Sequence, residues 1–289
     1  MKKRRRSAVW PVLICLLLLT AGVLLYSNFA LTVSYYDAKF MSLPSQFNGY
    51  RIALLSDLHG RDWGGRLVDR IKAEKPDVIV MCGDMVGEND EDFSDLKKLS
   101  EELAEIAPSF FVTGNHETPL NYELRQHDGR RVSALNMLYA SLKEAGVTPL
   151  INAPYVINRG DDSITLFGME TPQEFYFEDE LTGEMLKGLF GQFKADGFTI
   201  LLAHDPRPFA AYAQWGAELT LAGHMHGGVV RLPFIGGVLS PDRTLFPEYA
   251  GGQYEMNGKR MIVGRGLGQA GAPRFLNPSE LCVITLVNG

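Results

Sequence analysis

Carboxylate, imidazole and carboxamide side chains stand just beyond a series of short apolar runs in this sequence. Asp57 and His59 follow residues 52–55 within Ser56-Asp57-Leu58-His59-Gly60. In an extended chain residues two apart point to one side, so this carboxylate and this imidazole can aim at a single point and suit a divalent cation. Two ligands do not hold an ion, and partners must come from later in the chain. Asp84 closes Met81-Cys82-Gly83-Asp84, Asn115 and His116 lie in Gly114-Asn115-His116-Glu117, and His204 follows residues 199–203. His224 and His226 repeat the alternation of Asp57 and His59 within Gly223-His224-Met225-His226-Gly227-Gly228. Five of the six histidines thus sit at the ends of apolar runs, the exception being His127, in a polar loop and read as surface. Any one of them alone would be an ordinary hydrogen-bonded residue, and Asp57 or Asp84 alone a helix N-cap. Jointly they read as a metal centre.

Asp57, His59, Asp84, Asn115, His204, His224 and His226 make seven donors, too many for one ion and suited to two divalent ions if Asp84 bridges them. Two such ions about 3.5–4 Å apart repel, and a shared carboxylate with a bridging hydroxide relieves the repulsion. Their charge outweighs that of Asp57, Asp84 and one hydroxide, so the centre is positive and draws an anionic phosphoester. The ions would polarise phosphoryl oxygens and make the hydroxide available near neutral pH for in-line attack on phosphorus, with no nucleophilic Ser or Cys. Imidazole, carboxylate and amide ligands accept Mn²⁺, Fe²⁺ and Zn²⁺ alike; Mn²⁺ is the expected ion, with Fe²⁺ or Zn²⁺ as alternatives.

The runs that must position these donors alternate with helices. Strands are expected at 52–55, 78–82 and 110–113, with helices at 65–74 and 90–106 between them, which marks an α/β sheet with ligands at the carboxyl ends of its strands. Further helices are expected at 133–145, 181–193 and 208–214, and strands at 155–157, 164–167, 199–203 and 219–222. The last seventy or so residues are rich in Gly and Pro with β-like runs at 261–263 and 282–286, so the second half should add a mixed or antiparallel sheet.

Residues 8–26 form an uncharged, mostly apolar run after Lys2, Lys3, Arg4, Arg5 and Arg6, long enough as a helix to cross a bilayer. No small-x-small cleavage site follows cleanly, and an uncleaved anchor is preferred to a signal peptide or a twin-arginine leader. The basic end would stay in the cytoplasm and place the rest outside a cell membrane crossed once. Residues 31–36 read as a short strand leading away from the membrane. The 28 basic and 34 acidic residues give −6 at pH 7; beyond the basic cluster 23 face 34, a balance of −11 that argues against nucleic acid as a partner. Cys15, Cys82 and Cys282 read as thiols in apolar stretches rather than a disulfide framework. Arg61 could touch phosphate or remain solvated, and Phe175-Tyr176-Phe177 could be core or meet a lipid.

Five blocks, Asp57-Leu58-His59, Gly83-Asp84, Gly114-Asn115-His116-Glu117, His204 and Gly223-His224-Met225-His226, resemble in content and order those of the calcineurin-like metallophosphoesterases. Residues 227–233, Gly264-Arg265-Gly266-Leu267-Gly268 and Pro273-Arg274-Phe275 are similar to the membrane-anchored or exported bacterial branch, and the resemblance spans about residues 50–286. It implies a four-layer α/β/β/α sandwich of two mixed sheets behind an N-terminal transmembrane helix. It also implies that Asp57, His59 and His226 hold one ion, that Asn115, His204 and His224 hold the other, and that Asp84 bridges. His116 would steady or protonate the leaving oxygen, with Glu117 or Asp205 orienting it. Met225 and Val229 depart from the Thr and Gln common at those positions; neither removes a ligand. The domains expected are a basic terminus and anchor over 1–32, a juxtamembrane linker or strand over 33–49, and a metallophosphoesterase domain over 50–289. The activity expected is hydrolysis of phosphodiester, pyrophosphate or phosphomonoester bonds by a membrane-tethered monomer, with lipid-linked phosphates among its substrates. The alternative is a catalytically silent metal-binding or interaction module.

Overall fold

The computed structural model describes residues 4–87, 89–118, 120, 123–125, 131–176, 181–190, 197–241, 243–269 and 271–289. Helix α1 (Arg4–Phe29) leads into β1 (Leu31–Phe40), β2 (Arg51–Leu55), α2 (Arg66–Glu74), β3 (Val78–Cys82), α3 (Ser94–Ala104) and β4 (Ser109–Val112). A hairpin of β5 (Glu123–Arg125) and β6 (Arg131–Ser133), then α4 (Ala134–Glu144) and β7 (Val147–Pro149), complete the first half. The second half comprises β8 (Ala153–Arg159), β9 (Asp162–Gly168), α5 (Gly183–Phe190), β10 (Thr199–Leu202), α6 (Phe209–Trp215) and β11 (Leu219–Ala222). It continues through β12 (Val230–Leu232), β13 (Gly236–Leu239), β14 (Gly252–Met256), β15 (Lys259–Val263) and β16 (Ser279–Asn288).

Two six-stranded sheets result, ordered β1-β16-β2-β3-β4-β7 and β14-β15-β11-β10-β9-β8. β2, β3, β4 and β7 are parallel, as are β9, β10, β11 and β15. Both sheets are mixed: β16 is parallel to β1 and antiparallel to β2, while β8 and β14 run antiparallel at the edges of the second.

The apolar runs are nearly continuous because their side chains divide between two cores with period two. Ile52 and Leu54, Val78, Val80 and Cys82, and Cys282, Ile284 and Leu286 meet Ile200, Leu202, Leu219 and Leu221 between the sheets. The intervening Ala53, Leu55, Ile79, Met81, Leu281 and Val283 pack with Leu67 and Ile71 of α2, Leu96 and Leu103 of α3, and Leu138 and Leu142 of α4. On the far side Phe167 and Leu201 pack with Leu186 and Phe190 of α5 and Tyr212 and Trp215 of α6. Each Val, Leu, Ile, Phe or Met among these contributes about 1.5–3 kcal/mol by burial, and the layers are the expected α/β/β/α.

The helices form close to where periodicity and breakers place them. Ser133 caps α4, its hydroxyl accepting from the Asn136 N–H at 3.4 Å, and Lys75 adopts a left-handed turn that ends α2 before Pro76. Of the helix expected at 181–193, positions 191–193 lie outside the described residues, as do His127 and Phe177. β1 runs to Phe40 instead of ending at 36, since Ala38 and Phe40 turn into the core beside β16. Within 33–49, β1 is followed by a short turn (Ser45–Phe47) whose Phe47 is fully buried. Residues 282–286 do not join the second sheet; they lie in β16, between β1 and β2 of the first. Cys82 and Cys282 are buried free thiols, and Cys15 is exposed on α1.

Within α1, residues 9–29 have a mean hydropathy of 2.4 over a length that can cross a membrane. The helix stands clear of the domain until its last turn, where Ser27 and Asn28 are buried.

Candidate metal centre

β2, β3, β4, β10 and β11 all end at one rim of the stacked sheets, and every donor follows one of these ends by two to four residues. The backbone there is not extended. Asp57, His59, Asp84, His224 and His226 have φ of +52°, +49°, +54°, +68° and +52°. Asp57 and His59 therefore converge through consecutive left-handed turns rather than strand alternation, and the same correction applies to His224 and His226. Left-handed backbone at such residues costs about 1–3 kcal/mol each and persists only where the surroundings over-determine it. Loop-to-loop bonds do so: the N–H of Asp57 donates to the Gly83 carbonyl at 3.0 Å, that of His59 to the Asp84 carbonyl at 3.0 Å, and that of Gly223 to the His204 carbonyl at 3.0 Å. Gly223 packs so closely that a Cβ there would lie 2.5 Å from Asp57 Oδ2 and from Ser56 Cβ.

The donors form two groups that share one carboxylate. In the first, His226 Nε2 lies 3.5 Å from Asp57 Oδ1 and 3.1 Å from His59 Nε2. In the second, His204 Nε2 lies 3.2 Å from Asp84 Oδ2, 3.2 Å from His224 Nδ1 and 3.2 Å from Asn115 Oδ1. Asp84 Oδ2 is also 3.8 Å from His59 Nε2, so it faces both groups. Asp57/His59/His226 and Asp84/His204/His224 each offer ligand atoms within 4.8 Å of one another. All seven donors named from the sequence are brought together. The set fits divalent cations: two buried carboxylates lie among imidazole nitrogens, two of which face each other at 3.1 Å where they share at most one proton.

Burial and mutual charge set the protonation of these groups. Burial pushes the Asp57 carboxyl up to about 6, opposed by the nearby His204. It works the same way on Asp84, but His204, His116 and His59 outweigh it and hold that carboxyl far below its usual range. Burial lowers His59 and His224 to about 4 each. His226 falls well below its ordinary value through burial and the adjacent Arg274 charge. His204 is pulled down by burial but raised to about 10 by Asp84 and Asp57. Its Nδ1 lies 2.7 Å from the Cys82 carbonyl, which fixes Nδ1 as the donor and aims Nε2 at the other ligands.

The surrounding shell corrects two expectations. Glu117 does not orient His116: its carboxylate accepts from the N–H groups of Asp84 at 2.8 Å, Met85 at 2.7 Å and Gly114 at 2.7 Å, tying the second and third loops together. Burial and the Asp84 charge push it up to about 7 against those donors. Asp205 instead takes up Arg207, Oδ2 lying 2.6 Å from Nη2. His116 is held through its backbone N–H, which donates to Asp84 Oδ1 at 2.9 Å, and by edge-on packing against the His59 ring at 4.5 Å, while its buried Nδ1 has no hydrogen-bond partner among the described residues. Tyr176 is buried with its ring centroid 5.6 Å from that of His224, so it belongs to the site wall and not to an exposed trio. Arg61 stacks on Trp63 at 4.1 Å and donates to the Asn28 carbonyl, a bracing role rather than a solvated one.

Two residues were given no role from the sequence, although one of them stands in a stretch that carries the family resemblance. Arg274 is fully buried, with Nη2 3.2 Å from His226 Nδ1 and Nη1 donating to the His226 carbonyl at 3.3 Å. Asn28, in the last turn of α1, grips the Arg274 backbone in both directions, its Oδ1 accepting from N–H at 2.9 Å and its Nδ2 donating to the carbonyl at 2.9 Å. The only signals were an arginine between Pro273 and Phe275, and a Ser-Asn pair ending an apolar run.

Stacked mixed sheets whose carboxyl rim gathers carboxylates and imidazoles in two groups define a metal-dependent hydrolase. Residues 50–228 match the calcineurin-like phosphoesterase family, and the chain belongs to it. An Aquifex aeolicus metallophosphoesterase is 32% identical over 90% of this chain and 93% of its own. The phosphodiesterase YaeI of Escherichia coli is 27% identical over 82% of each chain. A zebrafish (Danio rerio) transmembrane protein with a metallophosphoesterase domain is 28% identical over 84% of this chain, which spans 54% of that protein. The chain is thus a metal-dependent phosphoester hydrolase of a family that uses divalent metals, and it carries one N-terminal helix long and apolar enough to cross a membrane.

Proposed function

We propose that this protein hydrolyses phosphodiesters, with pyrophosphates and phosphomonoesters as related substrates, at a centre of two divalent ions held beside a membrane by α1. The observation that carries the reading is Asp84, whose Oδ2 faces His59 at 3.8 Å and His204 at 3.2 Å, one member of each donor group. Asp57, His59 and His226 would hold one ion, Asn115, His204 and His224 the other, and Asp84 both. The ions would be Mn²⁺, or Fe²⁺ or Zn²⁺ according to supply. When bound they supply Lewis acidity toward phosphoryl oxygens and a lowered water pKa.

The chain's own residues bind and orient. Asp57 and Asp84 balance cationic charge, and the left-handed loops keep the donors converged. His116, its Nε2 3.9 Å from Asp84 Oδ2 and so facing the site, delivers a proton to the departing oxygen. The name of the E. coli relative supports a diester as the preferred class. The basic residues at 2–6 would keep the N-terminus cytoplasmic and the catalytic domain outside, as a single-pass monomer in the cell membrane. A lipid-linked phosphate is the substrate we favour, because the anchor's last turn is bonded through Arg274 to the loop of His226.

The test is turnover of aryl phosphodiesters and monoesters by the full chain in detergent with added Mn²⁺, beside Asp84→Ala and His116→Ala. Losses of about 10²-fold or more are expected in each variant. Wild-type rates in both would overturn the reading. Rates on dispersed phospholipid diesters should exceed those on soluble diesters; equal rates would reduce the anchor to localisation.

A further inference from the structure

Beyond α1, Met41 and Tyr35 stand exposed by themselves, but four strongly exposed large apolar side chains cluster at one place. Phe234 is fully exposed and Ile235 61% exposed at the tip of the β12–β13 hairpin, while Leu245 and Phe246 are 67% and 64% exposed on the loop that follows. Leu276, 37% exposed, lies against the same groove as Phe234 and Phe246. A contiguous patch of this kind on a folded domain marks a surface that meets something apolar.

Its neighbours say what that is. The Arg231 N–H donates to the Phe275 carbonyl at 3.0 Å and the Phe275 N–H to the Val229 carbonyl at 2.9 Å, which fastens the hairpin to the strip 274–276. Arg274 in that strip is the residue Asn28 grips. Arg265, which lines the same groove, reaches Thr32 Oγ1 at 3.5 Å, three residues past the end of α1. The apolar patch and the exit of the apolar helix are therefore braced by one short piece of chain. The strands that carry the patch are paired as well: β12 pairs with β13, the Phe246 N–H donates to the Val238 carbonyl at 2.9 Å, and the Ser240 N–H donates to the Thr244 carbonyl at 3.0 Å. Pairing of this kind lowers the cost of taking the hairpin's backbone out of water.

We propose that residues 232–235 and 245–246 enter the leaflet of the same bilayer that α1 crosses, so that the domain rests on the membrane at two points. This rests on the tether reading of α1. The His226 loop, which runs straight into β12, then lies between helix and hairpin at the height of the lipid headgroups, and Arg243, exposed on the loop of Leu245 and Phe246, faces anionic headgroup phosphates. A domain held at two points presents its metal rim to the bilayer surface in one orientation.

The experiment uses the full chain with Cys15→Ala; Cys82 and Cys282 are buried and do not label. Single cysteines at Phe234→Cys, Phe246→Cys, Leu17→Cys and Asp161→Cys carry a nitroxide in phosphatidylcholine–phosphatidylglycerol bilayers, and collisions with oxygen and with a water-soluble nickel chelate are compared. Asp161 is exposed in the β8–β9 turn, before the start of β9 and hence at the opposite end of the sheet from His204. Labels at 234 and 246 should resemble 17, favouring oxygen over nickel several-fold, while 161 stays open to nickel. Nickel access at 234 and 246 with shielding at 17 would overturn the proposal and leave the tether standing. Shielding of 234 from both reagents would point to a protein on the patch and also overturn it. Nickel access at 17 would remove the tether itself and the proposal with it.

Discussion

His116 differs from the other rim histidines in having a buried ring nitrogen with no hydrogen-bond partner among the described residues. A proton donor acts only where the leaving group needs a proton. His116→Asn should therefore lower kcat by about 10²–10⁴-fold for esters with alkoxide leaving groups, with far smaller losses for p-nitrophenyl esters and unchanged metal content. Equal losses for both classes would move His116 into the metal-holding set. Gly223 makes the complementary prediction, since its missing side chain is what lets Asp57 and Ser56 approach. Gly223→Ala should release metal, measured by elemental analysis of the purified protein, and cost about 1–3 kcal/mol in thermal unfolding through overpacking.

Loops, more than the strands feeding them, bring the donors together, and the elements that brace those loops are distant in sequence. Asn28→Leu keeps α1 apolar but removes its grip on Arg274, the buried guanidinium beside His226. The variant should stay in the membrane fraction yet bind Mn²⁺ more weakly by up to about 10-fold, less than the 10–100-fold of a direct outer-shell loss; titration calorimetry reads it, and unchanged affinity would make the contact mere docking. Glu280 of β16 braces β15 and β1 in the same way, pairing with Arg265 at 2.9 Å and accepting from Ser34. Burial alone would raise its carboxyl, but Arg265 prevails and holds it below the ordinary value. A carboxyl depressed in the folded state stabilises fully above its unfolded value of about 4.3, and that contribution is lost as pH falls through the folded value. Glu280→Gln should thus destabilise by about 3–5 kcal/mol at pH 7, because Arg265 is left without its partner. The gap in melting temperature from wild type should narrow as the pH drops below 4; a constant gap would mean the charge of Glu280 contributes nothing.

For the molecule as a whole, what could be read in advance was whatever period two and strand ends encode. Ile52 through Leu55 and Val78 through Cys82 declare strands buried on both sides, and the donors after them declare the rim. The route to convergence was not legible, because the left-handed turns at Asp57, Asp84 and His224 arise from bonds between loops that no local pattern records. Arg274 and Asn28 escaped for the same reason: each is meaningful only beside the other. The assignment of residues 282–286 to the first sheet was equally hidden, since an apolar strand carries no mark of which neighbours it will pair with. That strand has a consequence for biogenesis. β1 has β16 as its sheet neighbour, and β16 stands between β1 and β2 although nearly the whole domain separates it from them in sequence. While the chain is being made, α1 emerges early, but the edge strand that follows it stays unpartnered until the far end of the domain emerges. If α1 sends that domain across the bilayer, the polypeptide travels as an open thread. It then closes on the ions of the compartment it reaches, so the metal loaded would be set by the destination and not by the cytoplasm that made it.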